Sequence, residues 1–325
     1  MNYITEAGLI SEAIVNAADH NGVELMFESK VSDLIIPERF NPEIHDTDFV
    51  SLKINDQIFE TKLILGCDGA NSMVRKAMGI KSKSKMYNQR GVVATVEIRN
   101  ELERGNHTAY QRFLPDGSIL AFLPCDSNQI SIVWSCSNSK AEKLQGMSKE
   151  DFVEKINQAM REDYSSTLYN NMHNILTPFA TRFGVKEFTF NPPEITSILS
   201  PVASFPLATA NSKCTGPRSV LLGDAAHRVH PMAGQGANMG YRDAEILLDV
   251  MEKFHTRGTD PTSELCLRDF ENEIYKEHTP MMLGIDALKT IYSQNNPLFS
   301  TLRNIGTATI NSNQAAKELF ISRAA

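Results

Sequence analysis

The run Gly223-Asp224-Ala225-Ala226-His227-Arg228-Val229-His230-Pro231-Met232-Ala233-Gly234-Gln235-Gly236-Ala237-Asn238 decides how this chain is read. It follows the apolar stretch Ser219 to Leu222, which reads as a strand, and precedes the stretch Tyr241 to Phe254, which reads as a helix. An acidic residue at the carboxyl end of such a strand is where a ribose hydroxyl can be held. Glycines there let backbone N–H groups approach a ligand closely, and the helix N-terminus adds partial positive charge. Gly234, Gly236 and Gly240 do not form a GxGxxG fingerprint, because the spacing is one residue too long. A glycine cluster by itself is as often a plain loop. Gly223-Asp224 ahead of it and Pro231 between them tip the reading toward a ligand-binding turn.

A second stretch repeats the pattern earlier in the chain. Asp68-Gly69-Ala70-Asn71-Ser72-Met73-Val74-Arg75 also closes an apolar strand. Asp-Gly after a strand is usually a turn and nothing more. The spaced Ser72 and Arg75 behind it favour a nucleotide-facing loop.

Between and around these stretches the periodicity changes. Thr5 to Asp19 reads as a helix with an apolar stripe at Leu9, Ile10, Ala13, Ile14 and Ala17, stopped by Asn21-Gly22. Strands are expected over Val23 to Phe27, Val31 to Ile36, Phe49 to Ile54 and Ile58 to Leu65, with a hairpin turn at Asn55-Asp56. From Gly91 to Ser135 four strands follow without helices, one pair joined by Pro115-Asp116-Gly117. Ser148 opens a helix with Asp151 in the capping-box position. Ile195 to Phe205 reads as β again, and from Tyr241 helices dominate, with breaks expected near Pro261, Pro280 and Pro297.

The bulk properties bound the function. A chain of 325 residues, 42% hydrophobic, can bury two cores. A net charge of −7 with scattered basic residues argues against nucleic acid as a partner. No apolar stretch reaches the roughly 20 residues of a membrane-spanning helix, so membrane contact is expected to be peripheral at most. Five cysteines without CxxC spacing suggest neither a disulfide framework nor zinc. No basic, Ser-rich leader is read at the start of the chain. His227 and His230 lie three apart but have no further ligand cluster in sequence, so no metal is expected. Trp134 reads as core, Glu150-Asp151 as a solvated helix start, and no Gly-x-Ser-x-Gly elbow supports a hydrolase.

In this order, and separated by a β-rich region, the two boxes resemble those of the para-hydroxybenzoate hydroxylase family of FAD-dependent aromatic monooxygenases. The matching positions are Asp68, Gly69, Ser72 and Arg75, then Gly223, Asp224, Pro231, Gly234, Gln235, Gly236 and Asn238, with Ala237 between. Within the family, Gly223 to Pro231, Ala121-Phe122-Leu123-Pro124, Ile132-Val133-Trp134-Ser135 and Ser204-Phe205-Pro206-Leu207 resemble the eukaryotic ubiquinone-biosynthesis ring hydroxylases. The resemblance implies an α/β, Rossmann-like FAD-binding domain with an inserted antiparallel β-sheet substrate domain and C-terminal helices. Its segments would be 1–85 and 208–255 for the FAD-binding domain, 86–207 for the insert and 256–325 for the helical region. The family's opening strand, GxGxxG turn and helix have no counterpart ahead of Met1-Asn2-Tyr3, which implies an N-terminal truncation of about 100 residues.

What the resemblance implies for chemistry is specific. Asp224 would bind the FAD ribose, the Gly234 to Asn238 backbone would meet the isoalloxazine ring, and Asp68 would lie near the pyrophosphate. The reaction would place one oxygen atom of O2 on the ring of a prenylated phenol of the polyprenyl-hydroxybenzoate type. No catalytic base can be named from sequence. Electrons would come from a ferredoxin-type donor or NAD(P)H, and the enzyme would work within a ubiquinone-biosynthesis complex on the matrix side of the mitochondrial inner membrane. Two alternatives stand beside this: a truncated, non-catalytic assembly subunit, and a hydroxylase of a soluble phenol.

Overall fold

The computed structural model describes residues 7–37, 49–99, 108–161, 191–230 and 234–292. In chain order its elements begin with α1 (Ala7–His20), β1 (Val31–Ile35), β2 (Val50–Ile54), β3 (Gln57–Thr61), β4 (Ile64–Gly66) and α2 (Met73–Ala77). There follow β5 (Lys83–Ile98), β6 (Tyr110–Phe113), β7 (Ile119–Pro124), β8 (Gln129–Ser137), α3 (Asn138–Gln145) and α4 (Lys149–Arg161). The return comprises β9 (Ile195–Ile198), β10 (Ala203–Asn211), β11 (Thr215–Gly216), β12 (Ser219–Leu221), β13 (His227–Arg228), α5 (Gly236–Thr256) and α6 (Glu264–Tyr292). No helix among the described residues is long and apolar enough to cross a membrane. None of the five cysteines forms a disulfide among the described residues.

The chain divides into two compact units, one built on Asn88–Leu207 and the other on Ser11–Tyr87 with Ala208–Gly284. In the first, strands run in the order β10-β5-β8-β7-β6, with β9 also pairing β5. The alternation that marks half-buried strands is clear in β5, where Val92, Ala94, Val96 and Ile98 are buried. That face joins Leu120, Phe122, Ile130, Ile132 and Trp134 in one core with Phe152 and Ile156 of α4. Trp134 is fully buried, and its Nε1 donates to Ser118 Oγ at 3.2 Å, so its polar edge is satisfied inside the core. The Pro115–Gly117 turn closes as the residue types demand: Gly117 takes φ +75, and the Gly117 amide donates to the Leu114 carbonyl.

The second unit contains the three-stranded antiparallel sheet β1-β2-β3 and the sheet β11-β12-β4. Asn55 and Asp56 both adopt positive φ, at 46° and 72°, which twists the β2–β3 hairpin the way its strands require. β4 and β12 are parallel neighbours, with Ser219 opposite Ile64, Val220 opposite Leu65 and Leu221 opposite Gly66. Their core is completed by Val74, by Ile246, Leu247, Val250 and Phe254 of α5, and by Leu267, Phe270 and Ile274 of α6.

Four local expectations change. Val23–Phe27 forms no strand: Val23, Met26 and Phe27 are exposed, and β-propensity without a ladder partner does not hold a strand. The run Ile58 to Leu65 splits into β3 and β4, where Thr61 Oγ1 donates to the Leu63 carbonyl and turns the chain. Ile195 to Phe205 likewise divides into β9 and β10, interrupted around Ser200-Pro201. Pro280 lies inside α6 and does not end it, since buried Phe270, Ile274 and His278 anchor the preceding turns. Pro297 lies outside the described residues.

Candidate functional site

The parallel pairing of β4 with β12 brings the two sequence boxes together. Both strands end on the same edge, so Cys67-Asp68 and Gly223-Asp224 leave the sheet side by side. In an α/β sheet that carboxyl edge is where ligands bind. Arg75 then ties the two boxes: its Nη2 donates to the Ala70 carbonyl at 2.5 Å and its Nη1 to the Ala225 carbonyl at 2.7 Å, 150 residues away. The Arg75 guanidinium therefore acts through the protein backbone in this structure.

Asp68 is also engaged locally. Its Oδ2 accepts from the Met73 amide at 2.6 Å and the Val74 amide at 3.3 Å, while Ser72 Oγ accepts from the Arg75 amide at 2.9 Å. The carboxylate and the hydroxyl together cap α2, which its five residues could not sustain alone. Gly69 follows at φ +76, a conformation that suits glycine.

The Gly223–Ala225 turn is a single 3-10 turn after β12. Gly223 sits at φ +57, and an added Cβ would meet the Gly240 Cα at 3.6 Å. The two glycines let α5 pass directly over the turn. Asp224 is half exposed, with Arg228 Nε 3.5 Å from its Oδ2. The helix begins at Gly236, earlier than the expected Tyr241, so Gly236, Ala237 and Asn238 form its first turn. Among the described residues that N-terminus has no side-chain cap hydrogen bond, and its first turn has no acidic residue. An added Cβ at Gly234, at φ +63, or at Gly236 would meet no atom within 4 Å among the described residues. Uncapped amides behind bare glycines are the donor set for an electron-rich ring or anion. Gln235 lies at the cap position and accepts from Asn238 Nδ2 at 3.3 Å. Pro231 lies outside the described residues.

One constellation escaped the sequence reading. Asp243 on α5 is 1% exposed and accepts from the Gly223 amide, from His227 and from His278. His227 thus groups with Asp243 and His278, and His230 does not belong to the cluster. The signal was available: Asp243 interrupts the buried stripe Met239, Ile246, Leu247, Val250. A carboxylate at a core position demands partners.

Burial pushes the Asp68 and Asp243 carboxyls up, but the hydrogen bonds they accept outweigh it and both end below the ordinary value. A depressed folded-state pKa contributes stability that is complete above the unfolded value, 3.8, and lost as pH falls through the folded one. Denaturant titrations should therefore show the contribution of these carboxylates constant from neutrality to about pH 5 and fading below about pH 4. Asp68→Asn is expected to flatten part of that acid slope; an unchanged slope would assign the slope to other groups.

Comparison with known proteins decides the family. A profile of the FAD binding domain family matches residues 7–176 and 206–261. The mitochondrial ubiquinone biosynthesis monooxygenase COQ6 of Xenopus tropicalis is 34% identical over 335 residues, covering 99% of this chain and 70% of that protein. The human protein of the same name is 33% identical over 333 residues, with 99% and 70% covered. This chain belongs to the FAD-dependent aromatic-ring monooxygenases.

Solved structures agree on the fold of this monooxygenase. The p-nitrophenol 4-monooxygenase PnpA of Pseudomonas putida DLL-E4 superimposes with a TM-score of 0.68 at 15% identity, covering 98% of this chain and 72% of that one. PqsL of Pseudomonas aeruginosa, a probable FAD-dependent monooxygenase, gives 0.62 at 17% identity, covering 88% and 70%. FAD is the monooxygenase family's cofactor, and the open glycines, the uncapped α5 terminus and the half-exposed Asp224 fit it. Gly223, Asp224 and Arg75 meet at one sheet edge, whereas the Arg75 guanidinium is already committed to two carbonyls.

Proposed function

We propose that this chain hydroxylates the aromatic ring of a polyprenyl-hydroxybenzoate-type intermediate of ubiquinone biosynthesis, in mitochondria, using FAD and O2. The observation that carries the reading is the shared carboxyl edge of β4 and β12, which sets the Asp68 loop beside the Gly223–Asp224 turn. Relatives named as ubiquinone biosynthesis monooxygenases, matching 99% of the chain, support the pathway. When bound, FAD activates O2 for transfer of one oxygen atom to an electron-rich ring. The protein's part is to bind, orient and shield. Asp224 would accept from a ribose hydroxyl, and the first-turn amides of α5 at Gly236, Ala237 and Asn238 would face the flavin ring. Asp68 and Arg75 would shape the pyrophosphate side by holding their loop. The matrix face of the inner membrane, a ubiquinone-biosynthesis complex, and a ferredoxin-type or NAD(P)H donor complete the proposal.

The test uses the purified chain loaded with FAD. Reduced by either donor in the presence of O2 and a prenylated hydroxybenzoate, it should yield a product heavier by one oxygen atom. Turnover of a soluble phenol alone would overturn the substrate class, and flavin uptake without any oxygen transfer would leave a binding subunit. A separate variant isolates the cofactor contact. Gly236→Val adds a side chain where no described atom lies, so stability should change by no more than about 1 kcal/mol. FAD affinity should nevertheless fall at least about tenfold, because the backbone can no longer approach the ring. Fluorescence titration with FAD reads the difference, and equal affinity would remove Gly236 from the site.

A further inference from the structure

Asp243 is the one fully buried carboxylate among the described residues, and its two oxygens serve three donors. Oδ2 accepts from the Gly223 amide at 2.7 Å and from His227 Nε2 at 2.7 Å, and Oδ1 accepts from His278 Nε2 at 2.5 Å. The imidazole rings lie 4.7 Å apart, centroid to centroid. A four-coordinate zinc ion does not match these distances. Zinc at about 2.0–2.2 Å from each ligand would hold nitrogen and oxygen about 3.3 Å apart in a tetrahedral site. At 2.5 and 2.7 Å each pair shares a proton instead. A carboxylate can only accept, so both imidazoles carry their proton on Nε2.

We propose that Asp243 is a positioning residue for the cofactor: held by His227 and His278, it fixes the Gly223 amide and so the turn that presents Asp224. This rests on the reading that FAD binds at that turn. The geometry makes the carboxylate the common anchor of three segments. Gly223 comes from the turn after β12, His227 from β13 and His278 from α6, while Asp243 itself rides on α5. Gly223 takes a positive φ, +57, and packs against Gly240; its carbonyl accepts from the Ala226 amide at 2.9 Å, and Asp243 Oδ2 is the acceptor for its own amide. The residue it aims is the next one, Asp224.

The substitutions separate positioning from bulk packing. In Asp243→Asn the amide oxygen can keep the Gly223 and His227 bonds, leaving the NH2 group facing His278. That bond survives only if His278 moves its proton to Nδ1 and accepts at Nε2. Asp243→Leu keeps the branched side-chain skeleton with bulkier methyl ends and loses all three bonds. Val250→Ala, on the same helix and in the same core but outside the cluster, serves as a control for lost stability.

FAD titration of the full chain is expected to show Asp243→Asn within about threefold of the wild type and Asp243→Leu at least about tenfold weaker. Val250→Ala should bind FAD normally despite a lower melting temperature. Imidazole 15N shifts should report Nε2–H at both histidines in the wild type and a switch to Nδ1–H at His278 alone in Asp243→Asn. If Asp243→Leu does not fold, His278→Ala replaces it, with an intermediate loss of affinity expected. Wild-type FAD binding together with normal binding in the Asp243→Leu or His278→Ala variant overturns the positioning role alone. Affinity losses in Val250→Ala that match those of Asp243→Leu do the same. A wild-type chain that takes up no FAD overturns the functional reading and the positioning role with it.

Discussion

Arg75→Ala is expected to lower both stability and flavin retention, and more sharply than any other single change in the Asp68–Arg75 loop. The guanidinium is partly buried and makes two charge-assisted bonds, to Ala70 and Ala225. Each such bond contributes about 1.5–3 kcal/mol when its partner is left unsatisfied, so a loss of about 2–4 kcal/mol follows after allowing for partial exposure. Because Ala225 closes the Gly223–Ala225 turn, FAD affinity should fall at least about tenfold in parallel. Arg75→Lys offers one point charge in place of a planar fork, can reach only one carbonyl well, and should land between. Denaturant midpoints and FAD titrations of the three proteins give the answer. A variant with unchanged stability and affinity would mean that the two boxes are held by the β4–β12 ladder alone.

Gly66→Ala is the second large effect, and it acts on the fold. A Cβ at this position would lie 2.8 Å from Val74 Cβ and 2.9 Å from Leu221 Cδ2. The Leu221 methyl can rotate away, but Val74 Cβ is fixed to the α2 backbone. The helix must move off the sheet edge, at a cost of about 1–3 kcal/mol. Adding Val74→Ala removes Cγ1, at 3.1 Å, and leaves the closer contact, so rescue should be partial. Full rescue by Val74→Ala would show that the branched methyl, not the approach of the backbones, is what excludes a side chain here.

Gly66 shows how unevenly sequence and tertiary structure share the information. In sequence it is the first glycine of Gly66-Cys67-Asp68-Gly69 and reads as turn punctuation. In the structure it is the last residue of β4, opposite Leu221, and bare because α2 presses on it. Asp68 likewise reads as a ligand contact and is found capping α2. By contrast, the hairpin turn at Asn55-Asp56, the Gly117 turn and the Ser148 cap were legible from residue types, since each depends on backbone conformations within a few residues.

The sequence by itself determined where apolar periodicity changes from helical to alternating, where turns fall, and which two boxes are the candidates for cofactor contact. These follow from local sterics and from side chains that hydrogen-bond within a few residues of themselves. Only the tertiary structure decided that β4 and β12 run parallel as neighbours, that Arg75 bridges 150 residues to Ala225, and that Asp243 gathers Gly223, His227 and His278. It also left Val23–Phe27 outside any sheet and carried α6 through Pro280. A strand needs a partner and a buried charge needs donors. Both are supplied by segments far along the chain, which no local pattern names.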